Sequence, residues 1–318
     1  MAVTHARRIG IIGCGLIGRG WAIVFARAGY QALLHDSQGG AVERALTAVE
    51  GNLRDLAELG LIDSAAAVRE RMHPCARLEE ALADVAYVQE SVPEDRALKA
   101  RVFAELDALA PPDAVLGSSC SAIPGSEFLA DIPGRARCLI AHPANPPYLM
   151  PVVELVPTPF TSDATIERCS ALMAEVGQVP VLLKKEIPGF VMNRLQAGVV
   201  NEAVQLVQAG IMSAEDIDKV MRHSLGLRWS FMGPFETMDL NAPDGFADYA
   251  RRYGKSYETM GRALRVAEPW AAAAVDAIEA ERRRLVPKDQ VAARQAWRDR
   301  RLMALLTHIA DSDRKFGR

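Results

Sequence analysis

The sequence predicts a doubly wound α/β fold, a mostly parallel sheet with helices on both faces, joined to a second, all-helical domain. Three observations predict it. The stretch from Arg8 to Asp36 reads as strand, glycine turn, helix, strand and acid; β-branched runs then alternate with helical-period segments as far as Leu183; beyond Pro188-Gly189 no run alternates convincingly as a strand. The expected domains are residues 1–187 and 188–318.

Arg8-Ile9-Gly10-Ile11-Ile12 is a short β-branched run that leads straight into Gly13-Cys14-Gly15-Leu16-Ile17-Gly18. In such a G-x-G-x-x-G pattern the first glycine permits a tight turn, the second lets backbone approach a pyrophosphate, and the third allows a helix to pack closely on a strand. The helix from Trp21 to Ala28 stops at Gly29, a residue suited to a left-handed cap, and its N-terminus faces the phosphates. A second strand, Gln31 to His35, ends at Asp36, 18 residues after Gly18. A carboxylate there accepts hydrogen bonds from an adenosine ribose and repels a 2′-phosphate. A Rossmann-type site for NAD rather than NADP is therefore expected, built from Gly13, Gly15, Leu16, Ile17, Gly18 and Asp36, with FAD and a purely structural turn as the competing readings.

After Asp36, the residues Val42, Leu46, Val49, Leu53 and Leu56 recur at helical spacing and predict an amphipathic helix from Gly40 to Leu59. Asp63-Ser64 reads as the cap of a helix through Met72, and Leu78 to Leu82 as another short one. Val85 to Ser91 is the next strand, Val92-Pro93-Glu94-Asp95 its exit turn, and Asp95 to Ala110 a helix. Ligands of open parallel sheets bind outside the carboxyl ends of the strands, so Glu94, and Lys99 near the first turn, fit either a cofactor contact or a solvated helix start. The strand Ala114 to Gly117 ends in Ser118-Ser119-Cys120-Ser121, a cluster that can cap the following turn or hold a substrate oxygen. Arg137 to Ala141 delivers His142 into a loop, and Val152 to Val156 carries Glu154, so one loop brings a histidine and a glutamate to neighbouring strands. Val179 to Leu183 closes the sheet.

Beyond the boundary, Phe190 to Gln208 is apolar nearly all round, which implies burial on several sides and a homodimer packed through this region. Ser213-Ala214-Glu215-Asp216 resembles a helix cap, and Gly226 to Gly233 reads as a loop containing Arg228 and Trp229. The arginines at 282–284, 298, 300 and 301 are interleaved with acids, the pattern of a charged helix face.

The net charge of -3 argues against a nucleic-acid partner, and no run approaches the length of a membrane span. Cys14, Cys75, Cys120, Cys138 and Cys169 lack C-x-x-C spacing, which predicts reduced thiols in a cytoplasmic setting and no structural metal.

His142, Glu154, Asn193 and Ser121 form the candidate catalytic set. A nicotinamide dehydrogenase acting on an alcohol must remove the hydroxyl proton as hydride leaves the same carbon, which calls for a base that titrates near neutrality. Histidine is that side chain, and a glutamate on its other ring nitrogen fixes the tautomer. Asn193 and Ser121 are placed to hold the substrate oxygen. On pattern alone, a structural role for His142 stands beside the catalytic one.

Seven segments in order bear on that choice: the glycine turn, Val92-Pro93-Glu94, Ser118 to Ser121, His142-Pro143-Ala144-Asn145-Pro146, Val153 to Val156, Pro188 to Leu195, and Met232-Gly233-Pro234-Phe235-Glu236. Together they resemble the L-3-hydroxyacyl-CoA dehydrogenase family over nearly the whole chain. The resemblance implies that His142 is the base and Glu154 its partner, that Ser121 and Asn193 position the substrate oxygen, and that Asp36, Glu94, Lys99, Ser121 and Asn145 contact NAD. Asn145 to Tyr148, Gly189 to Gln196, Gly226 to Trp229 and Glu236 to Ala242 are similar to the branch holding the lambda-crystallins, with L-gulonate 3-dehydrogenase, and the carnitine 3-dehydrogenases.

Two departures from the acyl-CoA branch have physical meaning. The helix after Asp36 carries no lysine where acyl-CoA members hold the nucleotide end of CoA, although Arg44 and Arg54 can still meet a phosphate. Arg228 stands where those members have a shorter, uncharged loop, and a guanidinium suits a free carboxylate. The expected activity is NAD-dependent oxidation of the 3-hydroxyl of a small 3-hydroxy acid, L-gulonate-like or 3-hydroxybutyrate-like. The alternatives are a 3-hydroxyacyl-CoA or carnitine substrate, and a non-enzymatic NAD-binding protein of the crystallin kind.

Overall fold

The short Ile-, Val- and Leu-rich runs form eight strands: β1 Arg8–Ile12, β2 Gln31–His35, β3 Met72–Pro74, β4 Tyr87–Glu90, β5 Val115–Ser118, β6 Cys138–Pro143, β7 Val152–Val156 and β8 Val179–Leu182. A computed structural model describes residues 7–264 and 270–317, and within it these strands make one sheet in the order β3-β2-β1-β4-β5-β6-β7-β8. Every neighbouring pair is parallel except β6 with β7. Strand order reverses between β1 and β4, so the loops leaving those two strands diverge and open a crevice at the carboxyl edge.

Helices α1 Leu16–Arg27, α2 Ala41–Glu58, α3 Ala65–Arg69, α4 Leu78–Ala81, α5 Arg96–Leu109, α6 Ser126–Leu129 and α7 Asp163–Glu175 connect the strands. Alternation along each strand divides the core in two. Ile9, Ile11, Leu34, Tyr87, Leu139 and Ala141 join Trp21, Phe25 and Met173 in one cluster, while Ile12, Leu33, Val88, Cys138 and Ile140 join Phe103, Leu106 and Phe128 in the other. Caps stop and start the helices where the sequence places them. Gly29 (φ +91°) ends α1, Asp95 caps α5 through the Leu98 N–H, and Ser213 caps a later helix through the Asp216 N–H.

The remaining elements are α8 Met192–Gln208, α9 Ala214–His223, α10 Leu225–Trp229, α11 Pro234–Asp239, α12 Gly245–Leu264, α13 Ala272–Leu285 and α14 Val291–Phe316. By compactness the chain falls into two units, one of residues up to Arg194 together with the chain from Asp299, the other Leu195–Arg298. Phe190 is fully buried in the second core cluster, which carries the first unit past residue 187. Met303 is buried in the first cluster, and Arg300 bonds Asp55 and Glu58 of α2, which returns the end of α14 to that unit.

Three expectations differ from the structure. The helix expected through Met72 ends at Arg69, and Met72–Pro74 pairs with β2 as an edge strand. Its only buried side chain is Met72, so no alternation announces it. His142 lies within β6 rather than in the loop after it. The segment containing Arg228 and Trp229 is a short helix, α10, rather than a loop. Within the single chain, helix α8 buries only Val204, and Leu195, at 65% exposed, with Val199 and Val200, stays open, which leaves the expected homodimer packing of this helix untested.

Candidate active site

The cofactor crevice is shaped by glycines, and their surroundings separate two reasons for having them. Gly13 has φ +88°, and a Cβ there would lie 2.7 Å from the Ser91 carbonyl. At Gly18 a Cβ would collide with the Gly13 carbonyl oxygen. Packing within the protein therefore requires both. At Gly15 a Cβ would meet nothing within 4 Å, so the protein leaves that space open to something else. No side chain caps α1 at Gly15, and the first N–H groups of the helix are left for a ligand. Asp36 is fixed by N–H donors, Cys14 to Oδ2 at 2.8 Å and Gln38 to Oδ1 at 2.9 Å. The resulting groove, of about 730 Å³, is lined among others by Gly13, Gly15, Asp36, Arg44, Ser91 and Val102. Leu16 is half exposed at the first turn of α1, and Ile17 is partly buried behind it. Open space over an N–H-rich helix start, with a carboxylate at the end of β2, fits a dinucleotide.

Lys99 is engaged differently from a cofactor contact. It is 1% exposed and donates to both oxygens of Glu90, at 2.8 and 3.0 Å, and to the Val92 carbonyl at 3.3 Å. An ammonium has three donors, and all three are used inside the protein. Glu90, itself fully buried, also accepts from the Ser118 hydroxyl at 2.5 Å and the Val92 N–H at 2.6 Å. The pair thus clamps the exit turn of β4 to the end of β5. Sequence reasoning missed Glu90; the available signal was a charge inside an apolar strand with a lysine nine residues on.

Glu94 joins the same two loops from outside. Its carboxylate accepts from the Ser121 hydroxyl, the Ser121 N–H at 3.2 Å and the Ala122 N–H at 2.8 Å. Partial burial opposes its ionisation, but these hydrogen bonds win and hold it below the ordinary carboxylate range. Because the Ser121 hydroxyl proton goes to Glu94, the Ser121 oxygen is left as an acceptor. Asn193 donates one of its two side-chain N–H bonds to the Ser121 carbonyl, at 2.7 Å, and the other has no acceptor among the described residues.

The antiparallel corner supplies the titratable pair. His142 and Glu154 are directly opposite in the β6–β7 register, with Nδ1 2.8 Å from Oε2. The other Glu154 oxygen accepts from the Val191 and Met192 N–H groups, at 2.9 and 2.8 Å. Taking a carboxylate out of water costs several kcal/mol. Three charge-assisted hydrogen bonds, each contributing about 1.5–3 kcal/mol, offset that cost, and Glu154 accordingly lies below the ordinary carboxylate range. An ionised Glu154 is an acceptor only, so Nδ1 carries a proton, and in the neutral imidazole Nε2 presents a lone pair. Phe190, held at φ +48°, sets its ring 5.5 Å from the imidazole. A buried imidazole with an acceptor nitrogen, backed by a fixed carboxylate, can take a proton from an alcohol.

Two expected residues lie elsewhere. Asn145 is exposed in the loop after β6. Arg228 belongs to the second unit, where its Nε is buried with no partner among the described residues.

A doubly wound sheet, a carboxylate at the end of β2 and a histidine–carboxylate pair fit an NAD-dependent dehydrogenase. The chain belongs to the 3-hydroxyacyl-CoA dehydrogenase family: that family's NAD-binding domain matches residues 8–187 and its C-terminal domain residues 189–284. It is similar to lambda-crystallin of Oryctolagus cuniculus, 39% identical with 96% of this chain and 97% of the relative covered. It is 33% identical to an L-carnitine dehydrogenase of a Pseudomonas species, covering 99% and 98% of the two chains. The solved structure of 5-formyl-3-hydroxy-2-methylpyridine 4-carboxylic acid 5-dehydrogenase superposes with a TM-score of 0.81 at 28% identity, over 94% of this chain and 97% of the other. The protein is an NAD-dependent dehydrogenase of hydroxy acids or hydroxyacyl-CoA thioesters, and no helix among the described residues is long and apolar enough to cross a membrane.

Proposed function

We propose that the protein oxidises the 3-hydroxyl of a small 3-hydroxy acid, L-gulonate-like or 3-hydroxybutyrate-like, to the 3-keto acid, with His142 as general base. The observation that carries this reading is the in-register His142–Glu154 pair, with its carboxylate tied at both oxygens and the outer ring nitrogen left as an acceptor. Bound NAD supplies the hydride acceptor. As the C3–H bond breaks, Nε2 of His142 takes the hydroxyl proton, and the ionised Glu154 stabilises the imidazolium. Ser121 holds Asn193 through its carbonyl, and the remaining Asn193 N–H donates to the substrate oxygen as it becomes a carbonyl.

Gly13, Gly15, Leu16, Ile17, Gly18 and Asp36 hold the dinucleotide, with Glu94 and Lys99 shaping the loops around it and Asn145 contributing from the loop after β6. Arg228 neutralises the substrate carboxylate through its guanidinium. The absence of lysine on α2 supports a free acid over a CoA thioester. Residues 1–187 act as the NAD-binding domain and 188–318 as the substrate and dimerisation domain. The uncovered apolar side chains Leu195, Val199 and Val200 of α8 support a homodimer, for which sedimentation as a monomer at micromolar concentration is the contrary result. Five free thiols fit a reducing, cytoplasmic setting.

The test is NADH formation with L-gulonate, L-3-hydroxybutyrate, L-carnitine and 3-hydroxybutyryl-CoA. The highest kcat/KM is expected for one of the first two, and a thioester or carnitine optimum overturns the substrate class. Arg228→Met is expected to raise KM for the acid while leaving NAD affinity unchanged; unchanged kinetics remove Arg228 from the site.

A further inference from the structure

Ser91, at the exit of β4, lines the cofactor groove, and a buried chain of hydrogen bonds fixes the direction of its hydroxyl. The chain starts at Gly117 on β5, where a Cβ would collide with the Tyr87 hydroxyl; glycine there gives Tyr87, 1% exposed, the room it occupies. That hydroxyl donates to Gln89 Oε1 at 2.6 Å, and Gln89 Nε2 donates to the Ala141 carbonyl at 3.3 Å and to Ser119 Oγ at 2.7 Å. Turning the Gln89 amide over would set its oxygen against the Ala141 carbonyl oxygen, so the surroundings determine which end is which.

Ser119 Oγ also receives the Trp21 indole N–H, at 3.2 Å. A hydroxyl oxygen has two lone pairs and one proton, and an indole N–H only donates. With both lone pairs taken, the proton of Ser119 goes to Ser91 Oγ, 2.8 Å away. Ser91 therefore accepts from Ser119, and its own proton has no acceptor among the described residues. Its position is equally defined. A Cβ at Gly18 would lie 3.5 Å from the Ser91 Cβ, and one at Gly13 would press on the Ser91 carbonyl. The hydroxyl thus sits beside the phosphate turn of the groove.

We propose that Ser91 is a cofactor-binding residue, donating a hydrogen bond to an oxygen of the diphosphate or the nicotinamide-side ribose of NAD, and that Gly117, Tyr87, Gln89 and Ser119 form the chain that aims it. A donor whose rotation is already fixed loses little freedom on binding. The other donors of the chain are satisfied internally, so the last proton is the one available to a ligand.

Calorimetric titration of the full chain with NADH, ADP-ribose and AMP tests this. For Ser91→Ala the dissociation constants of NADH and ADP-ribose are expected to rise about tenfold, which corresponds to about 1.4 kcal/mol, while AMP, lacking the second phosphate and ribose, binds as before. Ser91→Cys keeps the size with a weaker donor and is expected to fall between; it carries the same test if the alanine variant does not fold. ADP-ribose binding to Ser91→Ala within about twofold of wild type overturns the proposal, and so does an equal loss for AMP, which would place the effect in the fold.

Discussion

The parallel end of the sheet and its one antiparallel corner build their parts of the site from different materials. At β1, β2 and β4 the groove is shaped mainly by backbone: helix N–H groups, close approaches allowed by Gly13 and Gly18, and one carboxylate held by two N–H donors, with the Ser91 hydroxyl as a side-chain addition. At β6 and β7 they come from side chains that meet because two strands share a register. A backbone site tolerates few changes at its glycines, whereas a side-chain pair can be altered chemically with the fold intact. Substitutions at the corner should therefore change turnover and leave cofactor affinity alone, and substitutions at the groove should do the reverse.

The largest separation is expected at Glu154. Glu154→Gln removes the charge that fixes the His142 tautomer and stabilises the imidazolium, and turnover should fall about 10²–10⁴-fold, with the NADH dissociation constant unchanged by calorimetry. A parallel loss of NADH affinity would break the division between the two regions. Next comes the clamp between them. Lys99→Met leaves Glu90 charged, buried and without its cation, and urea unfolding should show a loss of about 3–5 kcal/mol. Adding Glu90→Leu should restore much of it, since the unpaired charge is then gone. At the groove, Asp36→Ala should weaken NADH by about tenfold and narrow its advantage over NADPH, with turnover at saturating cofactor retained. An unchanged NADH to NADPH ratio would remove Asp36 from the ribose site.

The smallest effect is a pH dependence of stability. The folded Glu154 carboxyl lies below its ordinary value of 4.5, so its ionised form adds stability that is fully present above that value. This contribution is lost as pH falls through the lower, folded value. The stability gap between wild type and Glu154→Gln should accordingly narrow below pH 4.5. A constant gap would mean that the charge of Glu154 is not what the Val191 and Met192 N–H groups hold.

The same contrast explains what could be read from the sequence. Gly13, Gly15, Gly18 and Asp36 lie at fixed separations because one strand–turn–helix–strand unit holds them all, and local spacing therefore encodes their geometry. His142 and Glu154 are twelve residues apart across a loop, and whether they face one another depends on a pairing register that spacing does not specify. Glu90 with Lys99, and Gln89 with Ser119, went unread for a related reason: buried polar partners are chosen by three-dimensional proximity. Met72–Pro74 escaped because a three-residue edge strand with one buried side chain has no period. The apolar character of α8 was legible, but composition does not say what covers a helix, and the described residues leave Leu195, Val199 and Val200 open.

The most direct measurement is the single-turnover rate of NADH formation by His142→Gln, with whichever acid of the panel turns over fastest and with NADH affinity measured in parallel. A fall of about 10²–10⁴-fold at unchanged NADH affinity is the predicted result. Turnover within about twofold of wild type would contradict the assignment of the proton to this imidazole.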